Sequence, residues 1–310
     1  MPSRAIVVAL NTYREAVRAR VLHGLFGLAV ATAGYSLVVG AFALHASLRV
    51  VSDLGAASIS LYGIIVAVVL GATSLYRELE LKTIFPILAR PIRRWEYLVG
   101  KYLGTVLTLA VFIAANSGVL LLALASMAGR SLTATSAVAL GVTSVAAGLA
   151  FRLPRLRTFV PIGWALALLV AGAWLAGAAP DDRRVVLGSA LLTLAEVAIV
   201  TAIATVFSAF SSPFLTAVFT FGVFVVGRSA DTLARLPERV FGSLLAHAGQ
   251  ALSKVVPNLM LYVPPRPLLT GEVSGVPLAS YLGMALLHAL AWSVFLLTCA
   301  SLLFRRRDFL

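Results

Sequence analysis

Long apolar runs alternate with short polar segments along this chain of 310 residues. Most of the runs hold about 20 residues, enough for a helix to cross a hydrocarbon layer of about 30 Å. The pattern predicts an all-α fold, a polytopic membrane helix bundle, in which one transmembrane domain takes up residues 1–310. The predicted transmembrane helices are 21–43, 57–75, 98–127, 131–151, 160–179, 184–208, 212–227 and 279–304.

Two of these eight helices rest on less regular patterns. Serine and threonine dilute the run at 131–151, which therefore fits a re-entrant or interfacial segment as well as a crossing. The run at 212–227 is short, but Pro213 suits a helix start and the pair Gly227-Arg228 marks a clear end. About eight crossings follow when both are counted.

A periodic pattern precedes the first predicted crossing. The apolar residues on one helical face of the segment 4–20 are Ile6, Leu10, Tyr13 and Val17. Arg14 and Arg18 lie one turn apart on another face. This arrangement predicts a helix that lies in the membrane interface. The alternative is that the segment simply extends the first crossing into the cytosol.

A second amphipathic pattern lies in the predicted extracytoplasmic loop, residues 228–278. Its apolar residues recur every four positions, at Leu236, Val240, Leu244, Ala248 and Leu252. The pattern predicts a helix that rests on the membrane or on the crossings and that ends at Pro257. The prolines that follow, at 264, 265 and 267, exclude a continuous helix there.

Composition supports the membrane assignment. Hydrophobic residues make up 60% of the chain and charged residues only 12%, whereas a soluble domain has about a quarter of its residues charged. The net charge of +13 is explained by a basic cytoplasmic face. We therefore expect membrane lipids as partners and no nucleic acid. The lone Cys299 permits no disulfide within the chain.

The distribution of basic residues predicts the orientation of the chain. With the N-terminus in the cytoplasm, the cytoplasmic segments collect 16 of the 25 Lys and Arg residues. This excess follows the positive-inside rule and places both termini in the cytoplasm. Four arginines precede the first apolar run without a cleavage site after it, so the first crossing is expected to be retained.

The segment between the second and third predicted crossings is unusually rich in charge. It reads "LYRELELKTIFPILARPIRRWEYLVGK" over residues 75–101. Pro86 and Pro91 divide it, and Pro91 suits the first residue of a helix that continues into the third crossing. Trp95 would then lie at the level of the lipid headgroups. Acidic residues and exposed apolar residues fit a protein-docking helix, while an ordinary basic loop remains the plain alternative.

The same segment resembles the cytoplasmic coupling segment of ABC-2 type transporter permeases. The residues that carry the resemblance are Glu78, Thr83, Ile87-Leu88, Arg90-Pro91, Arg94-Trp95-Glu96 and Gly100-Lys101. The stretches "AIATVFSAFSSPFLTAVFTFGVFVVGR" (202–228) and "VPNLMLY" (256–262) are also similar to the late part of that family. Together these stretches cover roughly half of the chain.

The resemblance implies a membrane-spanning subunit of a bacterial ATP-driven exporter, in the cytoplasmic (inner) membrane. Residues 76–97 would dock on a separate cytoplasmic ABC ATPase subunit, which binds ATP and magnesium. The docking residues that the resemblance implies are Glu78, Glu80, Thr83, Arg90, Pro91, Arg94, Trp95 and Glu96. A second permease, either another copy or a paralogue, would complete the transporter.

The chain departs from the family in one place. Six crossings are usual, with a short outer loop after the third, whereas about 50 residues (131–180) follow the third crossing here. We interpret this segment as an added hairpin, whose two crossings preserve the orientation of the later helices. The expected architecture is therefore a six-helix core plus this hairpin.

No enzymatic or metal site is predicted within the chain. Gly100-Lys101 ends no phosphate-binding loop, since position 95, where such a loop needs glycine, holds tryptophan. The four histidines are scattered, and neither a HExxH nor a Gly-x-Ser-x-Gly motif occurs. We expect no catalytic residues, no metal ligands and no cofactor in this chain.

Three polar residues lie inside predicted crossings and form a candidate intramembrane site. Glu196 is the most notable, because a lone carboxylate in a membrane helix is costly and functional by default. It could bind a cation, take up a proton or hydrogen-bond a neighbouring helix, and the last role is the plainest. Asn116 and His288 are possible partners, with a buried structural role as the alternative.

Two other classes of function compete with the exporter. An ion-gradient-driven secondary transporter would show internal repeats and broken helices with polar residues, but Glu196 is the only ion-binding candidate. A membrane scaffold without transport would tolerate the loss of Glu196. Variants of Arg94 or Glu96 separate the classes, since the exporter predicts lost coupling to an ATPase with normal membrane insertion.

Overall fold

A computed structural model describes residues 4–43, 46–80, 93–272, 275 and 277–305. Within these residues the chain forms twelve α-helices and two short 3-10 helices, Ala176–Ala178 and Leu259–Tyr262. The helices are α1 Arg4–Val17, α2 Arg20–Phe42, α3 Ser47–Glu80, α4 Arg94–Met127, α5 Leu132–Arg152, α6 Val160–Leu175, α7 Pro180–Ser208, α8 Pro213–Arg228, α9 Ala230–Ala234, α10 Glu238–Val255, α11 Arg266–Thr270 and α12 Leu278–Arg305.

Seven helices in the described residues are long and apolar enough to cross a membrane. They are α2, α3, α4, α5, α6 with the 3-10 turn that follows it, α7 and α12. The predicted all-helical fold is confirmed for the described residues, and the seven helices are consistent with a multi-pass membrane protein. The apolar helix α8 has only 16 residues, so the count of eight crossings stays a prediction.

Most predicted helix boundaries lie close to the observed ones, and the largest departure is the start of the second crossing. The run at 131–151, diluted by serine and threonine, is a continuous helix, α5. The predicted start of the second crossing at residue 57 is wrong, because α3 begins at Ser47. The added first turns contain the polar residues Ser52 and Asp53, whose partners elsewhere in the fold satisfy them inside the helix.

The centre of the bundle is the pair α3 and α7, which run side by side in the same direction. Ser52 of α3 contacts Asp182 of α7 near one end, and Gly71 lies against Ala204 near the other. A Cβ atom on Gly71 would lie 2.5 Å from the Cβ of Ala204. The glycine thus permits the close approach of helices that stabilises membrane bundles through packing.

A second close contact joins α4 to α6. A Cβ atom on Gly118 would lie 2.6 Å from the backbone of Leu168, and one on Gly172 would lie 2.7 Å from the carbonyl oxygen of Gly118. The backbones therefore touch at this crossing point. The second arm of the predicted hairpin is packed into the bundle rather than added to its surface.

The first arm of the hairpin, α5, lies at the edge of the bundle. Of its 21 residues only Thr135 is buried. Large apolar side chains such as Leu140 and Phe151 are exposed, as expected for a helix that faces lipid. The two arms of the predicted 131–180 hairpin therefore have different structural roles.

The N-terminal segment forms a separate helix, α1, which ends at Val17 before α2 begins at Arg20. It does not continue the first crossing as one helix. A Cβ atom on Gly104 of α4 would lie 2.4 Å from the carbonyl oxygen of Ala9, so α1 packs closely on α4. Its position in a membrane interface stays a prediction.

The buried face of α1 differs from the predicted apolar face. Of the residues on that apolar face, Tyr13 is fully buried in the protein and Ile6 is exposed. The other buried residues of the helix are Ala9, Thr12 and Ala16. Small side chains allow the close approach to α4, and the larger apolar residues are left on the outer side.

The described residues between α8 and α12 form three helices, α9 to α11, and a 3-10 turn. The predicted amphipathic helix corresponds to α10, which is kinked at Gly242, where φ is +79°, and ends at Val255 before Pro257. Ala246 and Gly249 face the protein, whereas Leu244 and Leu252 of the predicted apolar face are exposed. The helix therefore does not rest its leucines on the crossings.

Candidate functional site

An ion pair lies in the interior of the bundle. Arg228, the last residue of α8, donates from Nε to Oε1 of Glu196 at 2.6 Å and from Nη2 to Oε2 at 2.8 Å. The same Nη2 donates to the hydroxyl of Ser60 in α3 at 3.1 Å. The pair therefore joins three helices, α3, α7 and α8, around one bidentate contact.

The surroundings of Glu196 explain why it needs this partner. Its side chain is almost completely buried, and an unpaired buried charge is strongly unfavourable. Two-pronged contact with a guanidinium satisfies both carboxylate oxygens and fixes their orientation. The guanidinium also lies 5.5 Å above the ring of Phe224, which gives it a second favourable contact.

A second ionic cluster joins α11 to the N-terminal ends of α3 and α7. Arg266 of α11 contacts the carboxylates of Asp53 in α3 and Asp182 in α7. It also donates to the hydroxyl of Ser52 at 2.9 Å, and that hydroxyl donates to Asp182 at 2.8 Å. One arginine thus fastens the loop after α10 to both central helices.

The charge state of Arg266 follows from these contacts. Burial acts to lower its pKa, but hydrogen bonds to Asp182 and Asp53 outweigh burial, and the pKa is raised above its usual value. The guanidinium is therefore permanently charged. Two carboxylates on one arginine form a network that is stronger than an isolated surface ion pair.

A cavity of about 410 Å³ lies between the two ionic clusters. Its polar wall includes Asp53, Ser60, Thr193, Arg228, Tyr262 and Arg266. Apolar side chains such as Leu61 and Phe224 form the rest of the wall. This mixture can accept a small polar or zwitterionic group, because the charges of both arginines are already balanced by carboxylates.

Tyr262 connects the cavity to α12. Its hydroxyl is 2.8 Å from Nδ1 of His288 and donates to the carbonyl oxygen of Ala285 at 3.2 Å. Burial, together with the negative charge of the nearby Glu196, raises the pKa of Tyr262. The phenol therefore stays neutral and acts as a hydrogen-bonding group.

The three predicted intramembrane residues do not form one site. Glu196 pairs with Arg228, while His288 pairs with Tyr262. The amide of Asn116 donates to the carbonyl oxygen of Phe112 in its own helix at 2.9 Å, and its Oδ1 has no partner in the described part of the chain. Glu196 lies near Tyr262, and Tyr262 contacts His288, whereas Asn116 bonds within α4.

The predicted ATPase-coupling residues fall partly outside the described residues. Outside the described residues lie Thr83, Arg90 and Pro91. The helix start predicted at Pro91 is therefore not described either. Glu78 and Glu80 belong to the last turns of α3. The other described members, Arg94, Trp95 and Glu96, lie at the start of α4.

These members have distinct surroundings. Glu96 accepts a hydrogen bond from the backbone N–H of Arg93 at 3.0 Å and thereby caps α4. Arg94 donates to the carbonyl oxygen of Phe304 at 3.3 Å and ties α4 to the end of α12. Trp95 is 47% exposed. Of the three, Trp95 is the side chain most accessible to a partner.

The sequence contained a signal for one residue that was not predicted. Arg228 ends an apolar helix, and a lone intramembrane carboxylate such as Glu196 calls for a cationic partner. No comparable indication of the Arg266 cluster was present in the sequence, because Arg266 lies 84 positions from Asp182 and 213 positions from Asp53. Their proximity is a property of the fold.

The comparisons with known proteins give no family. No model of a known protein family matches the chain, and no match is found among functionally characterised proteins. The function is therefore inferred from the residues and the geometry.

Proposed function

We propose that this chain is the membrane-spanning permease subunit of an ATP-driven transporter of the ABC-2 type, acting as an exporter in a bacterial cytoplasmic membrane. A separate cytoplasmic ATPase subunit would bind ATP with magnesium and dock on residues 76–97. A second permease, either another copy or a paralogue, would complete the complex. Both termini and the docking segment would lie in the cytoplasm.

One observation carries the proposal, namely the position of α3 in the bundle. Its C-terminal end leads into the charged segment that resembles a coupling segment, and its N-terminal half carries Asp53 and Ser60. At about 1.5 Å per residue, this helix of 34 residues is about 51 Å long, well beyond the hydrocarbon layer. A single rigid helix therefore links the docking segment to both ionic clusters.

The mechanism follows from this linkage. Closure of the ATPase subunits on ATP would displace the docking segment and, with it, α3 relative to α7 and α8. The contacts of α3 with Arg228 and Arg266 would then be strained or exchanged, which changes access to the cavity between them. In this scheme the ionic clusters stabilise each of two arrangements of the central helices.

Trp95 provides the test of docking. Replacing Trp95 with alanine should lower the amount of ATPase that co-purifies from native membranes by at least about tenfold, since buried tryptophans dominate many interfaces. Glu96 and Arg94 are poorer test positions, because both also hold α4 in place. Trp174→Ala is the matched control, since Trp174 is 75% exposed at the opposite end of the bundle.

Two results would contradict the proposal. The chain could purify without any ATPase, or Trp95→Ala could leave co-purification and transport unchanged. Transport that followed an ion gradient would then favour the secondary transporter, with the Glu196–Arg228 pair as the candidate proton site. A chain with no transport at all would favour the scaffold.

A further inference from the structure

A large apolar cavity is separate from the ionic clusters. It is lined by α2, α4, α5, α6 and the connections at residues 17–18 and 154–158. Its volume is about 980 Å³, at the upper end of the range for small-molecule sites. The cavity contains none of the residues of the candidate site described above.

The packing of α5 explains why the cavity exists. This helix has almost no buried residues, and it presents Ala146, Ala147 and Ala150 to the cavity. Alanine side chains are too short to fill the space between α5 and α4. An apolar cavity of this kind does not hold water well, so an apolar ligand is needed to fill it.

The floor of the cavity is aromatic. Phe26 packs edge-on against Phe112 with ring centroids 6.1 Å apart, and against Trp164 at 5.7 Å. The indole Nε1 of Trp164 donates to the hydroxyl of Thr143 at 3.2 Å, which joins α6 to α5 across one side. The floor is therefore preformed and suited to a hydrocarbon chain.

We call the basic part of the cavity wall, at Arg18 and Arg157, its mouth. Arg18, in the connection between α1 and α2, and Arg157, in the connection between α5 and α6, both line it. No carboxylate lies within ion-pair distance of either guanidinium in the described part of the chain. His23 of α2 also lines the cavity. Within the described residues, two arginines without an ion-pair partner thus line an apolar cavity.

The position of Arg157 is held by the rest of its connection. Phe159 stacks on Tyr13 of α1 with ring centroids 6.3 Å apart, and the guanidinium of Arg14 lies 5.1 Å above the same ring. These contacts fasten the α5–α6 connection to the N-terminal helix. The two basic residues of the mouth are therefore presented from elements that are anchored to each other.

We infer that this cavity binds an anionic phospholipid of the surrounding membrane, with its phosphate at Arg18 and Arg157 and an acyl chain on the aromatic floor. Guanidinium groups pair with phosphate through two parallel hydrogen bonds, which favours arginine over other residues for this task. A lipid reaches the site from the bilayer, because α5 faces lipid. The inference does not rest on coupling to an ATPase.

Native mass spectrometry of the full-length protein in detergent tests the inference. Phosphatidylglycerol and phosphatidylcholine with identical acyl chains are supplied separately, and the lipid-bound fraction is measured. We expect phosphatidylglycerol to bind preferentially. The variant Arg18→Gln/Arg157→Gln should bind it about tenfold more weakly, because each arginine supplies a charge-assisted contact. The control Arg152→Gln/Arg155→Gln changes basic residues nearby that do not line the cavity and should bind as the original protein does.

A second variant tests the cavity itself. Ala147→Trp fills the space beside Phe26 and should abolish binding of both lipids, with an unchanged melting temperature since α5 packs little. If the double arginine variant does not fold, the Ala147→Trp variant still tests whether the cavity binds lipid. Equal binding of the two lipids by the original protein, retention of phosphatidylglycerol by Ala147→Trp, or its displacement by excess inorganic phosphate would each overturn the inference.

Discussion

The helices α5 and α7 look alike as sequences, because both are long, apolar and nearly free of charge in their central part. In the structure they differ greatly. In the most apolar window of α7, 67% of the residues are buried, against 6% in that of α5. The helix α6, which belongs to the same hairpin as α5, packs one face on α4. Apolar character therefore identifies a membrane helix without indicating whether it faces protein or lipid.

The difference also governs where polar groups can be placed. Glu196 of α7 is buried and has three helices around its ion pair. Thr143 of α5 is exposed; its hydroxyl donates to the carbonyl oxygen of Ala139 in the same helix and accepts a hydrogen bond from Trp164. A charge is stable only where a partner is fixed beside it, and the packed centre of the bundle provides that.

The largest effect is expected at the buried ion pair. Glu196→Leu or Arg228→Met alone should lower the free energy of unfolding by about 3–5 kcal/mol, since each leaves an uncompensated buried charge. Unfolding in mixed micelles with increasing dodecyl sulfate, followed by circular dichroism, measures this change. The counterpart in α5 is Thr143→Val, which should cost only about 0.6 kcal/mol.

The double variant Glu196→Leu/Arg228→Met is the control for this prediction. It removes both charges at similar volume and should recover most of the lost stability. If the double variant were as unstable as the sum of the single variants, the pair would not act as a unit. The two residues would then stabilise the bundle through separate contacts.

A smaller effect is expected from truncating apolar side chains in the two arms of the hairpin. Leu168 of α6 is 2% exposed, whereas Leu140 of α5 is 70% exposed. Leu168→Ala should lower the free energy of unfolding by about 2–5 kcal/mol because it leaves a cavity beside Gly118. Leu140→Ala removes contacts with lipid only and should leave the same unfolding transition almost unchanged. Equal effects would mean that α5 is packed against protein in the assembled molecule.

The smallest of the three effects concerns glycines. Gly172 of α6 has no room for a Cβ atom, while nothing lies within 4 Å of such an atom on Gly148 of α5. Gly172→Ala should therefore force α6 away from α4 and destabilise the protein by about 1–3 kcal/mol. Gly148→Ala should stay within about 0.5 kcal/mol of the original protein. The melting temperatures of the two variants in the same detergent give the comparison, and a neutral Gly172→Ala would contradict the close α4–α6 contact.

Much of the fold follows from the order of residues. The boundaries of α2, α5, α8 and α12 fall within a residue or two of the predicted ones, since an unbroken apolar run is recognisable locally. The start of α3 was missed because Ser52 and Asp53 resemble a loop until Asp182 and Arg266 are placed beside them. Partners that are distant in sequence cannot be identified from a local pattern.

The candidate site shows the same division. The cost of a carboxylate in a hydrophobic segment singles out Glu196, but its partner Arg228 is 32 positions away and was not predicted. Asn116 and His288 were singled out by the same reasoning, and each has a different environment in the structure. A polar residue within a membrane helix can be recognised from the sequence, but the sequence does not identify the residue that it contacts.

Hydropathy is a property of each segment and of the solvent that it prefers, so the local order of residues is sufficient to establish that this chain crosses a membrane repeatedly as helices. The partners of those helices are settled by packing, in which residues of the same type differ according to what lies opposite. Gly118 and Gly148 are chemically identical, yet one touches the backbone of Leu168 and the other has open space around it. Close packing and ion pairing act over a few ångströms, and only the folded bundle brings such distant residues within that range.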